Sequence, residues 1–360
     1  MYVIYHSSDS FASVTGVSIA SLFENNRDVK HIHVLYIERG MKDENKSMLK
    51  SLASRYDRTI EFIDMPNWSE RLGIKLQSCK SGWLGFGYNR LFITDLLPQD
   101  VDKALYLDSD TIIEGSLKEL WSFDMDDYYL AGVDDCLSST YRELVEIDDC
   151  GTYCNAGVLL FNVKKWREDN VKQQLIDNVI RNNGYFVFNE QSILNSVFAG
   201  KIKILPQEYN INSLVYAFKY QELMRLRKPQ NFSYTKKEYY FARENPIITH
   251  FTGCFFIAKR PWIEDSDHPH AKNFLKYRNL TPWKGEPLQM DTRDKTKKIL
   301  TRVCHILPKG IMIILVNILY NYIRPVSFMN KKLKNQNNRL ASKSQLVFIK
   351  NFIRVYVKSV

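Results

Sequence analysis

The chain has 360 residues, 45% hydrophobic and 13% aromatic, enough to bury one large α/β core with an appendage or two modest cores. Its net charge of +10 is uneven: residues 291–360 carry fifteen Lys/Arg against two Asp/Glu, leaving 35 against 38 for residues 1–290. That balance excludes a nucleic-acid-binding domain in the body, and six cysteines without paired CxxC spacing exclude a zinc module.

In chain order, Tyr2–Tyr5 reads as a first core strand. No basic segment precedes a long apolar one there, so it is not a signal peptide, and the expected compartment is cytosolic. The cysteines (Cys79, Cys136, Cys150, Cys154, Cys254, Cys304) are accordingly expected to be reduced and partly buried. A helix over Ala12–Glu24 follows, with Val14, Val17, Ile19/Ala20 and Phe23 at helical spacing. His33–Ile37 reads as a strand, Asp43–Ser54 as a helix with Asp43 as N-cap, and Thr59–Ile63 as a strand. Tyr88–Leu97 reads as a helix closed by Pro98, and Ala104–Leu107 as the next strand. This βαβαβ order predicts an α/β fold: a mostly parallel central sheet with helices on both faces. Further on, Tyr128–Val133 and Ala156–Phe161 read as strands, Val163–Asn182 as a long helix and Asn189–Phe198 as a shorter one. Residues 205–246 show weak periodicity and read as loops and short elements, and Pro246–His250 as a last core strand.

The apolar run Ala104–Leu107 leads into Asp108-Ser109-Asp110. Residues i and i+2 of an extended chain point the same way, so Asp108 and Asp110 can reach one hard cation, which can in turn hold two phosphates. The spacing recurs at Asp100/Asp102, Asp124/Asp126 and Asp265/Asp267, but only the Asp108 pair sits at the end of a strand, where α/β sheets bind ligands. His250 ends the strand-like Ile247-Ile248-Thr249 and is either an ordinary strand-end histidine or a third ligand. Two carboxylates with an imidazole suit Mn²⁺ better than Ca²⁺. Gly253 would let the backbone approach an anion, and Lys259 would supply a point charge for phosphate. Asn155-Ala156-Gly157 reads either as a turn or as an amide for sugar hydroxyls; Glu190-Gln191 reads either as an acidic first helical turn after N-cap Asn189 or as a polar pair facing a reacting carbon.

Together, Tyr106-Leu-Asp-Ser-Asp110, Asn155-Ala-Gly-Val-Leu-Leu-Phe-Asn162, Glu190-Gln-Ser-Ile-Leu-Asn195 and His250-Phe-Thr-Gly253 resemble glycosyltransferase family 8. The resemblance covers roughly residues 1–285 and is greatest to the bacterial lipopolysaccharide and lipooligosaccharide galactosyl- and glucosyltransferases. It implies a GT-A-like single catalytic domain over 1–285, a UDP-hexose donor (galactose or glucose), Mn²⁺ or Mg²⁺, and retention of anomeric configuration. Asp108, Asp110 and His250 fall on the family's metal ligands, Gly253 and Lys259 on or near its diphosphate contacts. Arg90, Ser109, Asp135, Asn155, Ala156, Glu190 and Gln191 fall on donor and reaction-centre positions, with Gln191, Glu190 and Asp135 the candidates for catalysis. Ser8, Asp9 and Phe11 lie where the family has its uridine pocket. Three departures stand out: Ser8 replaces an aspartate, Glu190-Gln-Ser192 replaces Asp-Gln-Asp, and Gly253–Lys259 is longer and more apolar than usual. A sugar-nucleotide-binding protein of the same fold without transfer activity is the alternative they suggest.

Gln191 is a weak nucleophile, so the expected chemistry is front-face attack by the acceptor hydroxyl, its proton passing to the leaving phosphate. The basic region 286–360 holds two apolar stretches, Ile311–Leu319 and Leu346–Val357, and no Asp or Glu after Asp294. Ile311–Ile323, about 13 residues, is shorter than the roughly 20 that a span needs. The region therefore reads as a helical tail binding an anionic membrane surface, the alternative being a subdomain packed on the body. The expected partners are a UDP-sugar, a glycan or glycolipid acceptor and the inner face of the cell membrane, with no nucleic acid.

Overall fold

The computed structural model describes residues 1–68, 70, 88–125, 127–147, 151–182, 184–254 and 259–335. Strand β1 (Tyr2–Ser8) is central, and its fully buried Val3, Ile4 and Tyr5 show why a continuous apolar run forms it: both faces are covered. Helices α1 (Ala12–Glu24) and α2 (Asp43–Ser54) alternate with β2 (His33–Arg39) and β3 (Thr59–Asp64), as expected. With β4 (Lys103–Leu107), β6 (Leu130–Gly132), β7 (Val158–Asn162) and β8 (Ile202–Ile204) they build a seven-stranded sheet in the order β3-β2-β1-β4-β7-β6-β8. It is mostly parallel, except that β7 runs against both β4 and β6. That reversal pairs Val158 with Leu107 and so sets Gly157 beside Asp108.

A second sheet holds β5 (Thr111–Ile113), β9 (Ile211–Asn212) and, between them, β10 (Ile248–His250). The expected last core strand thus belongs to this smaller sheet, where it places His250 opposite Thr111. Apolar clusters fill both faces of the main sheet, one around Val3, Tyr5, Ile19 and Phe23, the other around Ile4, Tyr106, Trp166 and Phe198.

Several expectations are corrected. Tyr88–Leu97 is two short 3₁₀ turns, Tyr88–Leu91 and Ile93–Asp95, because Arg90 is drawn inward rather than left on a solvent face. After α3 (Lys118–Ser122), the span Val163–Asn182 is two helices, α4 (Val163–Glu168) and α5 (Val171–Arg181), broken where Asn170 turns left-handed at φ 49°. Asp43 does not cap α2; Lys42 holds the N-cap position, and its amide donates to Asp9 from another segment at 2.9 Å. Asn189 does not cap α6 (Asn189–Val197) either, being its first residue. Within 205–246 the chain forms α7 (Ser213–Ala217), α8 (Tyr220–Arg227) and α9 (Lys236–Glu244), which bury Val215, Leu223, Leu226 and Tyr239 against one another.

After α10 (Ala271–Arg278) and α11 (Lys295–Ile306), the tail is one continuous helix: α12 (Lys309–Ile318), a π-helical turn (Leu319–Ile323) and α13 (Arg324–Asn335). The wide turn ahead of Pro325 accommodates a ring that would strike a regular helix and end it. The apolar segment is therefore longer than the sequence suggests; Lys309–Lys332 has the length and composition to cross a bilayer. Leu346–Val357, Asp126, Cys79 and Cys150 lie outside the described residues; Cys136, Cys154, Cys254 and Cys304 are reduced, in no disulfide among the described residues.

Candidate active site

β4 ends at Leu107, and the next three residues are pinned to strands on both sides. The Asp108 amide donates to the Gly157 carbonyl (2.7 Å), the Ser109 hydroxyl to the His6 carbonyl (2.9 Å), and the Thr111 hydroxyl back to the Asp108 carbonyl (2.9 Å). His250 Nε2 then lies 3.2 Å from Asp110 Oδ1 and 3.7 Å from Asp108 Oδ2. One ligand atom from each of the three sits within 4.8 Å of the others. The other ring nitrogen, Nδ1, faces Asn210 Oδ1 at 3.1 Å, and an acceptor there fixes the proton on Nδ1 and leaves the Nε2 lone pair toward the carboxylates.

Burial disfavours charge on both His250 and Asp110, yet their mutual attraction outweighs it, raising the imidazole pKa and lowering the carboxyl pKa. A site that stabilises positive charge between two anionic oxygens and one nitrogen fits a divalent cation of the Mn²⁺ class. Gly157 is part of the fit: a Cβ there would overlap the His250 ring. This settles why glycine follows Asn155-Ala156; it is the floor on which the imidazole lies.

Asp108 and Asp110 line a cleft of about 360 Å³ together with His6, Ser7, Ser8, Phe11, Arg90, Ser109, Asn189, Glu190 and Arg260. Buried Arg90 is its chief fixed cation. Its guanidinium donates to the Ala156 carbonyl (2.6 Å), the Tyr106 hydroxyl (2.9 Å) and Asp108 Oδ1 (2.8 Å), and stands 3.6 Å from Glu190 Oε1. Burial raises the Glu190 pKa, with Arg90 opposing the shift.

Behind the cleft runs a second network. Asp135 accepts from Asn155 Nδ2 (3.1 Å) through one oxygen and from Gln191 Nε2 (3.0 Å) through the other. The Gln191 carbonyl accepts from the Ala156 amide (3.0 Å), so this side chain is held at both ends. Asn155 Oδ1 accepts from Gly157 N (2.9 Å) and Asn210 Nδ2 (3.0 Å), which links the Asp135 side to the His250 side through Asn210. Burial raises the Asp135 pKa, opposed chiefly by the field of Arg227. Ser192, one of the departures, has a packing role: it is buried, and its hydroxyl accepts from the Phe188 amide at 3.1 Å.

Two expected residues lie elsewhere. Asp9 turns from the cleft toward α2, where Lys42 N and Asn45 Nδ2 occupy its carboxylate, so Ser8 and Phe11 line the cleft without it. Lys259 points to Asp265 (3.8 Å), and Arg260 takes its place, its Nη1 lying 3.3 Å from Asp110 Oδ2 and its guanidinium over the Trp262 ring. Gly253 is exposed against that guanidinium. Sequence reasoning passed over His6, Asn189, Asn210 and Arg260. Arg260 adjoins Lys259, and either could have been chosen from its neighbours; Asn210 carries no local signal at all.

Fold and site together define a GT-A-type glycosyltransferase. The chain belongs to glycosyl transferase family 8, whose model matches residues 2–265. It is 24% identical over 287 residues to General stress protein A of Bacillus subtilis (strain 168), covering 79% of this chain and 94% of that protein. It is 30% identical over 284 residues to a lipopolysaccharide 1,2-glucosyltransferase of Escherichia coli, covering 75% and 76%. Among solved structures, the galactosyltransferase LgtC in complex with donor and acceptor sugar analogs superposes with a TM-score of 0.64 at 22% identity, covering 83% of this chain and all of that one.

Proposed function

We propose that this glycosyltransferase moves galactose or glucose from a UDP-sugar, with a divalent metal, to a hydroxyl of a bacterial surface glycan or lipid-linked oligosaccharide, retaining the anomeric configuration. The observation that carries the reading is the convergence of Asp108, Asp110 and His250 at one end of a cleft whose walls bear Ser8, Phe11, Arg90 and Arg260. Those three side chains would hold Mn²⁺ or Mg²⁺, which when bound neutralises diphosphate charge and so favours its departure.

The chain's own residues do the rest. Phe11, set edge-on against Trp262 with ring centres 5.4 Å apart, offers an apolar wall for a base. Arg260 supports the diphosphate as charge grows on it. Arg90 fixes Asp108 and Glu190 relative to each other, and Gln191 and Asn155 fix Asp135. In transfer, the bond from the anomeric carbon to the phosphate oxygen breaks while the acceptor oxygen bonds the same face, and the acceptor's proton passes to the departing phosphate. Cationic character on the sugar is met by Glu190 and Asp135.

The domain division proposed is a catalytic unit over 1–285 and a membrane-associating region over 286–360. Exposed Ile311, Ile314, Leu315, Ile318 and Leu319 recur at helical spacing along the tail, an apolar stripe among Lys and Arg that suits an anionic membrane surface on the cytoplasmic side. UDP release measured across UDP-sugars, with Mn²⁺ or with chelator, with and without a glycan acceptor, tests the reaction. Turnover of one UDP-hexose that chelation abolishes is expected; binding of nucleotide with no release under any condition would sink it.

A further inference from the structure

The tail helix touches more than the outside of the body. On its buried side, Asn317 Nδ2 donates to the carbonyls of Arg225 (2.7 Å) and Leu226 (3.0 Å), and Asn321 Nδ2 to that of Leu226 (2.8 Å). The segment following Asp135 is laid against the same place. The Ser139 amide donates to the Lys228 carbonyl (3.2 Å), Ser138 bridges to Pro229, and the Ser138 hydroxyl bonds the Asn321 side chain. Tyr320 completes the seam. Its carbonyl accepts from the Tyr141 hydroxyl (2.8 Å), its ring lies 4.9 Å from that of Tyr141, and Tyr141 lies 5.3 Å from Phe188, two residues before Glu190. Tyr141, in the segment after Asp135, therefore sits between Tyr320 of the tail and the start of α6.

Two guanidinium groups converge on that ring. Arg227 lies 4.3 Å from its centre and Arg324 5.9 Å, the latter also 5.7 Å from Phe188 and 5.1 Å from Phe328. Among the described residues neither forms an ion pair: Glu222 is committed to Lys309 (2.7 Å) and Glu146 to Lys332 (2.9 Å), while Asp135, hydrogen-bonded by Asn155 and Gln191, meets Arg227 only through its field. Stacking on an aromatic uses the flat face of a guanidinium and leaves its N–H edge for polar partners, of which Arg324 has one in the Tyr141 hydroxyl. Two such cations on one ring repel each other, a cost relieved when one anion bridges them.

We propose that Arg227 and Arg324, seated on Tyr320, form an acceptor-side subsite for a phosphate substituent of the glycan acceptor. It rests on the transfer reading above and narrows the acceptor to a phosphorylated one. It also makes the tail part of the acceptor site, so that the tail selects substrate as well as membrane.

The test is inorganic phosphate binding to the full-length protein by calorimetry, with the donor cleft filled by UDP and Mg²⁺. The wild type binds phosphate at millimolar concentration; Arg227→Met and Arg324→Met each weaken it about tenfold, and the double variant abolishes it. Tyr320→Phe keeps the binding, because the ring remains, and Tyr320→Ala loses it. UDP affinity stays unchanged in all five, which shows that they are folded. Equal phosphate affinity in wild type and double variant, or none in wild type, would overturn the proposal. Failure of UDP to bind at all would count against the donor reading instead, and the same comparison made without nucleotide would still decide the phosphate subsite.

Discussion

Asn210 touches neither cleft nor sheet edge through any motif, yet it ties His250 to Asn155 and through it to Asp135. Asn210→Ala removes the acceptor that sets the His250 tautomer and is expected to weaken metal activation about 10- to 100-fold. Mn²⁺ titration of UDP release measures this; an unshifted titration would remove Asn210 from the account. Gln191 is bracketed between the Ala156 amide and Asp135, and in the proposed mechanism it holds rather than attacks, so Gln191→Ala should slow turnover moderately. A glycosyl adduct trapped on Glu190 would instead establish double displacement. The raised pKa values of Glu190 and Asp135 have a definite sign. The proposed transfer needs both charged, so activity should rise with pH along a limb above the ordinary carboxylate range. Stability runs the other way: the contribution of these groups is complete below the unfolded carboxylate pKa of about 4 and is lost as pH rises through the folded values. Rate profiles and thermal melts across that window report the two trends separately.

At the scale of elements, α1 and α2 match the sequence reading because α1 buries apolar residues along most of its length and α2 buries Leu49, Leu52 and Ala53 at helical spacing. The start of α2 shows the limit of local signals. Asp43 looks like its cap, but the bond to the Lys42 amide comes from Asp9, a residue of the β1–α1 turn. Asp9→Ala should therefore cost about 1 kcal/mol, read as a lowered Tm at neutral pH. The Lys42 amide and Asn45 hold the Asp9 carboxyl below its usual range, so this contribution is present above the unfolded pKa and lost as pH falls through the folded one. A wild-type advantage that persists fully in strong acid would contradict it. The helices within 205–246 escaped notice because they are only five to nine residues long and so show little periodicity. One start signal was there to be read, the Thr235-x-x-Glu238 capping box of α9.

For the whole molecule, the tail is at once docked and exposed. Asn317 and Asn321 face the body, while Ile311, Ile314 and Ile318 face outward, 44–61% exposed. Replacing those three isoleucines with Gln should leave Tm nearly unchanged and sharply reduce binding to anionic vesicles; unchanged vesicle binding would refute a membrane role for this stripe. The order of the first strands and helices was legible along the chain, since an apolar run bounded by polar residues carries its own period. So was the strand-end pair Asp108/Asp110, since residues two apart in a strand share a face. The reversal of β7, the small sheet that brings His250 to Asp110, the choice of Arg260 over Lys259 and the placing of Tyr320 against Tyr141 came only from the tertiary structure. Each joins residues tens to hundreds of positions apart or depends on side-chain direction, and both are decided by packing rather than by any local preference of the chain.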